Sequence, residues 1–153
     1  MATQNKDLKS SLNQLEVTLE EYFVKKAPTI PENIKEIIVN FAPWITLVIL
    51  IITLPAVLFV FGLGTLLAPF SFLGGIQAGF SYTLSMIVLA VSLVLEALAI
   101  PGLFKRSKGG WNLVFYASII NAVSNLISFN IVSLIVGTLI SWYILFQVKS
   151  YYK

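Results

Sequence analysis

The chain contains no cysteine and no histidine. Without cysteine there is no disulfide, no thiol nucleophile and no thiolate metal site. Without histidine there is no imidazole base and none of the commonest zinc and haem ligands. Charge is scarce too: 11% of the 153 residues are charged, against about 25% in an average soluble domain. The scarcity is concentrated. No Asp, Glu, Lys or Arg occurs from Ile37 to Leu95, and none from Gly109 to Val148. Runs of that length leave too little polar surface to cover a water-soluble core. Phosphate loops, nucleophile–base pairs and paired carboxylates are also missing, so neither an enzyme nor a cofactor is expected. The first forty residues lack a compact apolar segment with a cleavage site, so no removable signal peptide is expected.

What is present is apolar. Hydrophobic residues make up 58% of the chain, and the mean hydropathy is +0.89. The apolar runs divide into four expected spans, at about 44–67, 80–100, 111–128 and 131–148. All ten Lys and Arg residues fall in alternate connections. Lys6, Lys9, Lys25, Lys26 and Lys35 precede the first span, Lys105, Arg106 and Lys108 separate the second from the third, and Lys149 and Lys153 follow the fourth. Short cytoplasmic loops collect Lys and Arg. The pattern predicts two in-out-in hairpins with both termini cytoplasmic, in a plasma or inner membrane. The net charge of +3 suits an anionic leaflet, with headgroups expected near Lys105, Arg106 and Lys108. It shows no pattern for nucleic acid.

Residues 1–42 read as a cytoplasmic and interfacial extension of the 43–153 membrane domain. Leu8, Leu12, Leu15, Leu19 and Tyr22 recur at spacings of four and three, a narrow heptad stripe. Two readings fit it: a solvated helix resting on the rest of the chain, or self-association as a short coiled coil. Pro28 is expected to end this helix. Next, Ile30, Ile34, Ile37, Ile38 and Phe41 share a face opposite Glu32, Lys35, Glu36 and Asn40, which predicts a short interfacial helix. Pro43 is expected to break it, and Trp44 to mark the headgroup level, with Trp111, Trp142 and Tyr143 near the same boundary. Pro55 should kink the first span. Gly62–Gly79 is expected to be an irregular external connection, Pro101–Gly102 to end the second span, and Phe129–Asn130 to be a tight turn.

Glu96 is the one ionisable side chain expected within a span, where a charge costs about 2.5–3.5 kcal/mol on insertion scales. Ser85 and Ser92 share its helix face, and Ser118, Asn121, Asn125 and Ser128 form a polar face on the third span. Antiparallel packing brings Glu96 level with Ser118 to Asn121, and Ser92 level with Asn121 to Asn125. This seam either glues two helices, with Glu96 snorkelling, protonated or paired with Lys105 or Arg106, or it binds a proton, cation or polar group. Gly75–Gly79 and Gly137–Ser141 have the spacing of close helix contacts. Four spans with one intramembrane Glu resemble, in architecture alone, the small multidrug resistance transporters, whose essential Glu stands in the first helix. Glu96 stands in the second. The expected fold is all-α: an integral membrane four-helix bundle with an N-terminal amphipathic helix and a short interfacial helix. The expected role is a non-enzymatic oligomeric or accessory membrane component, a homo-oligomer or bound to a membrane partner. The alternative is a small transporter or channel for a cation, proton or small polar solute.

Overall fold

The computed structural model describes residues 2–153, with side chains from Asp7 onward. Met1 and the side chains before Asp7, including that of the expected inner-side cation Lys6, lie outside the described residues. The described residues form helices and turns, with no strand among them. Helix α1 (Ala2–Glu20) runs on through a π-helical turn, Glu21–Lys26. It stops at Ala27, which is extended ahead of Pro28. Helix α2 is Glu32–Ser71, α3 is Ile76–Phe104 and α4 is Lys108–Ile127. A π-helical stretch, Ser133–Gly137, leads into α5, Thr138–Gln147. Two helices, α2 and α3, are long and apolar enough to cross a bilayer, and Ser133–Gln147 is apolar but shorter.

Several expected boundaries are wrong. Pro43 does not break the chain into an interfacial helix and a span, because α2 runs unbroken through Pro43, Pro55 and Pro69. Each proline removes one ladder hydrogen bond. Long apolar turns on either side keep the helix going, as in membrane helices generally. Pro101 likewise lies inside α3. The helix ends three residues later, where Arg106 adopts a left-handed φ of 49°. Gly62–Gly79 is not irregular either: the reversal is confined to Phe72–Gly75. Gly75, at φ 99°, makes the turn, and Gly79 leaves room for the Phe72 ring, which an added Cβ would strike. The second apolar helix therefore begins at Ile76 rather than Phe80.

Helix α3 packs against α2 on one side and α4 on the other, and α5 lies against α4 and the Glu21–Lys26 turn. At the base of α3 and α4 two glycines meet. A Cβ on Gly102 would lie 2.6 Å from the Gly110 Cα, so only glycine permits this approach. Gly109 and Gly110, expected in the basic turn, thus belong to the first turns of α4.

The core gathers at this end of the molecule. Val39, Leu103, Trp111, Phe115, Phe146 and Tyr152 are its main buried side chains. Trp111 was expected at a headgroup boundary but is fully buried. Its Nε1 donates to the Leu145 carbonyl at 2.9 Å, and its ring meets Phe146 edge-on with centroids 5.4 Å apart. Lys35, assigned by the pattern to the solvent face, is buried, whereas Ile34, Ile37 and Phe41 point outward. Lys35 lines a cavity together with Trp111 and Phe146, and its ammonium pairs with Glu32 at 3.2 Å. Lys35 shares the inward side of the helix with Val39 and Pro43, while Glu32, Glu36 and Asn40 stay exposed along with much of the apolar face.

Candidate functional site

The antiparallel hairpin of α3 and α4 positions the polar seam. Asn121 Nδ2 donates to Ser92 Oγ and to the Ala117 carbonyl, both at 2.9 Å. Ser118 Oγ accepts from Trp142 Nε1 at 2.9 Å, which ties α5 to the same face. Glu96, Ser118, Asn121 and Asn125 line one groove of about 340 Å³. The other wall is the last helix, contributing Ser133, Gly137, Thr138 and Ser141. Ser92 stands behind Asn121 and is buried.

Two candidates lie elsewhere. Ser85 is exposed and bonds only to the Ser81 carbonyl of its own helix. Ser128 is the C-cap of α4. Neither borders the groove. Glu96 has no hydrogen bond or ion pair among the described residues. It does not pair with Lys105 or Arg106, and Arg106 Nη2 instead donates to Asn40 Oδ1 at 2.5 Å. The groove therefore offers one uncompensated carboxyl group amid amides and hydroxyls. Such a set can solvate a cation or hold a proton, but it contains no nucleophile–base pair. Ser133 and Thr138 escape sequence reasoning, because they carry no signal until the last helix is laid over α4. Ser133 opens the π-helical stretch that ends just before Thr138, a geometry that recurs at functional sites.

The heptad stripe is divided. Leu15 and Leu19, with Phe23 and Val24, pack on the chain's own core. Leu8 and Tyr22 remain exposed. Docking is secured by Lys149, which pairs with Glu16 at 2.9 Å and also with Glu20. A second anchor, Gln147, escaped sequence reasoning. It is 3% exposed. Its Nε2 donates to the Phe23 carbonyl at 2.6 Å and to that of Pro28 at 3.3 Å. Its Oε1 accepts from Ile30 N–H at 3.2 Å. Tyr143 adds a bond to the Pro28 carbonyl at 2.6 Å. These contacts hold the link between α1 and α2 against α5.

No protein-family model, curated protein or solved structure matches this chain.

Proposed function

We propose that the chain is a four-span integral membrane protein with both termini on the cytoplasmic side, acting as a non-enzymatic oligomeric or accessory component. One observation carries this reading. The α2–α3 hairpin shows its apolar surface to the surroundings, with Phe59 67%, Leu66 69% and Leu73 85% exposed. Contiguous apolar surface of this extent marks contact with lipid or another protein. Helix α4 and the Ser133–Gln147 segment are the two shorter spans in this reading, and the lysine distribution supports the orientation. Reporter fusions test it. Those at Lys153 and in Lys105–Lys108 should report cytoplasm, and those at Phe72 and Asn130 the opposite side. An external C-terminus would overturn the four-span topology. The mass of the protein in lipid nanodiscs tests assembly, and a strict monomer without a co-purifying membrane partner would overturn the oligomeric role.

The groove supports a second reading, a small transporter or channel for a cation, proton or small polar solute. Here Glu96 would hold the charge while Asn121 and Asn125 line the path. Glu96→Gln keeps size and hydrogen-bonding capacity, so the fold should survive while flux in liposomes is lost. Absence of proton, alkali-cation and lipophilic-cation flux in the wild type would remove this reading for those ligands.

A further inference from the structure

The cations of the packed end divide into two groups. Lys35 and Lys149 are paired with carboxylates. Lys105, Arg106, Lys108 and Lys153 have no carboxylate within ion-pair distance among the described residues. Three of these four, Lys105, Arg106 and Lys153, surround a single pocket of about 550 Å³ together with Glu32, Ser150 and Tyr151. The backbone holds them there. Lys153 N–H donates to the Arg106 carbonyl, and Lys108 N–H to the Lys153 carbonyl, both at 2.9 Å. The C-terminal residues are thereby clipped to the α3–α4 turn, with three cationic side chains around one opening. Arg106 occupies a left-handed position, φ 49°, that suits glycine or asparagine better. Strain of this kind collects at functional sites.

Glu32, the one carboxylate side chain lining the pocket, is already engaged. Glu32 Oε2 accepts from the Tyr151 hydroxyl at 2.6 Å, and Oε1 accepts from Lys35 at 3.2 Å. Lys35 pairs with it, so Lys105, Arg106 and Lys153 are left without a carboxylate side chain within ion-pair distance among the described residues. The pocket also adjoins the end of α3, where Phe104 meets Trp44 edge-on with centroids 5.0 Å apart. Both rings are largely exposed, as aromatic side chains are at headgroup depth.

We propose that Lys105, Arg106 and Lys153, with the Ser150 hydroxyl, form a binding site for a phosphate-bearing anion, supplied by the headgroup of an anionic phospholipid. This rests on the membrane reading above. It goes beyond general attraction of a basic loop to an anionic leaflet, because it names a defined pocket and leaves out Lys108, which faces another cavity beside Trp111 and Lys149. Arginine supplies a planar fork for phosphate oxygens, and the two lysines add point charges from the sides.

The test uses the full chain in nanodiscs of phosphatidylcholine, with or without phosphatidylglycerol. Native mass spectrometry counts the lipid retained on release. Wild type should retain phosphatidylglycerol over phosphatidylcholine by about tenfold, the equivalent of one charge-assisted hydrogen bond. Combined Lys105→Gln, Arg106→Asn and Lys153→Gln should abolish the preference. Asparagine tolerates the left-handed backbone, and unchanged tryptophan fluorescence would show that the fold survives. Lys108→Gln should change retention less than about twofold. Equal loss in Lys108→Gln would reduce the site to diffuse attraction and overturn it, as would equal retention of the two lipids. Inorganic phosphate should not fill the site in phosphatidylcholine discs at micromolar concentration. If it did, the ligand would be a soluble phosphate and the lipid assignment would fall. Insertion into discs without lipid preference overturns this site alone, whereas failure to insert overturns the membrane reading with it.

Discussion

The two ends of the molecule are built on different physics. At one end Trp111, Phe115, Phe146 and Val39 are almost completely buried, and the buried polar side chain of Gln147 is satisfied by backbone partners. This is how the interior of a water-soluble domain is made. At the other end, the α2–α3 hairpin buries little beyond Gly64 and Gly79, and its large apolar side chains face outward. One tight contact there, the Tyr82 hydroxyl donating to the Gly64 carbonyl at 3.2 Å, relies on glycine. The contrast teaches that the chain carries its own core only where it needs to fold against itself. Along the hairpin, lipid or a partner must supply the apolar surroundings.

The sharpest way to break this contrast is a pair of truncations. Trp111→Ala should cost about 3–5 kcal/mol, because it empties a site with no exposed surface. Leu66→Ala, in the hairpin, should shift stability by less than about 0.5 kcal/mol. Unfolding in detergent micelles measures both. A comparable loss at Leu66 would mean that another protein covers the hairpin face.

Gln147→Leu comes next. It orphans the half-buried Phe23 carbonyl and Ile30 amide, and a buried orphan of this kind costs at most about 1–3 kcal/mol. Hydrogen exchange should quicken in the 27–31 link and in α1 while the hairpin stays protected. Uniform quickening would show that the two ends fold as a single cooperative unit.

The smallest effect concerns pH. Burial opposes the charge on Lys149, but hydrogen bonds to Glu20 and Glu16 outweigh it and hold the group above its ordinary value of 10.5. Its contribution is complete below that pH and is lost as pH rises through the higher folded value. The Tyr151 hydroxyl, then Lys35, holds the Glu32 carboxyl below its ordinary value of 4.5. That contribution is present above 4.5 and is lost as pH falls through the lower folded value. Limited proteolysis should therefore release α1 above about pH 10.5 and loosen the α2 start below about pH 4.5. The hairpin carries no Asp, Glu, Lys or Arg from Ile37 to Leu95, so its cleavage should not follow the same curve.

The helical character, the apolar runs and the meeting of Ser92 with Asn121 were legible in the sequence. Periodicity and antiparallel register are local rules, and a short basic turn leaves few ways to pair two helices. The helix ends were not legible at the prolines. Pro43 and Pro101 carry a local breaking signal, which the apolar turns around them override. The groove was half legible. Glu96, Asn121 and Asn125 stand out as polar residues in apolar runs, whereas Ser133 and Thr138 gain meaning only from what they face.

By itself the sequence determined that this is an all-helical, charge-depleted chain with its cations gathered into alternate connections, because those properties follow from residue type and spacing. The tertiary structure alone decided that Lys35 lies inside, that Gln147 clasps a link 117 residues away at Ile30, and that the C-terminal residues close a basic pocket with the α3–α4 turn. Those outcomes depend on which distant groups meet. A buried amide or ammonium is stable only where folding has brought it a partner.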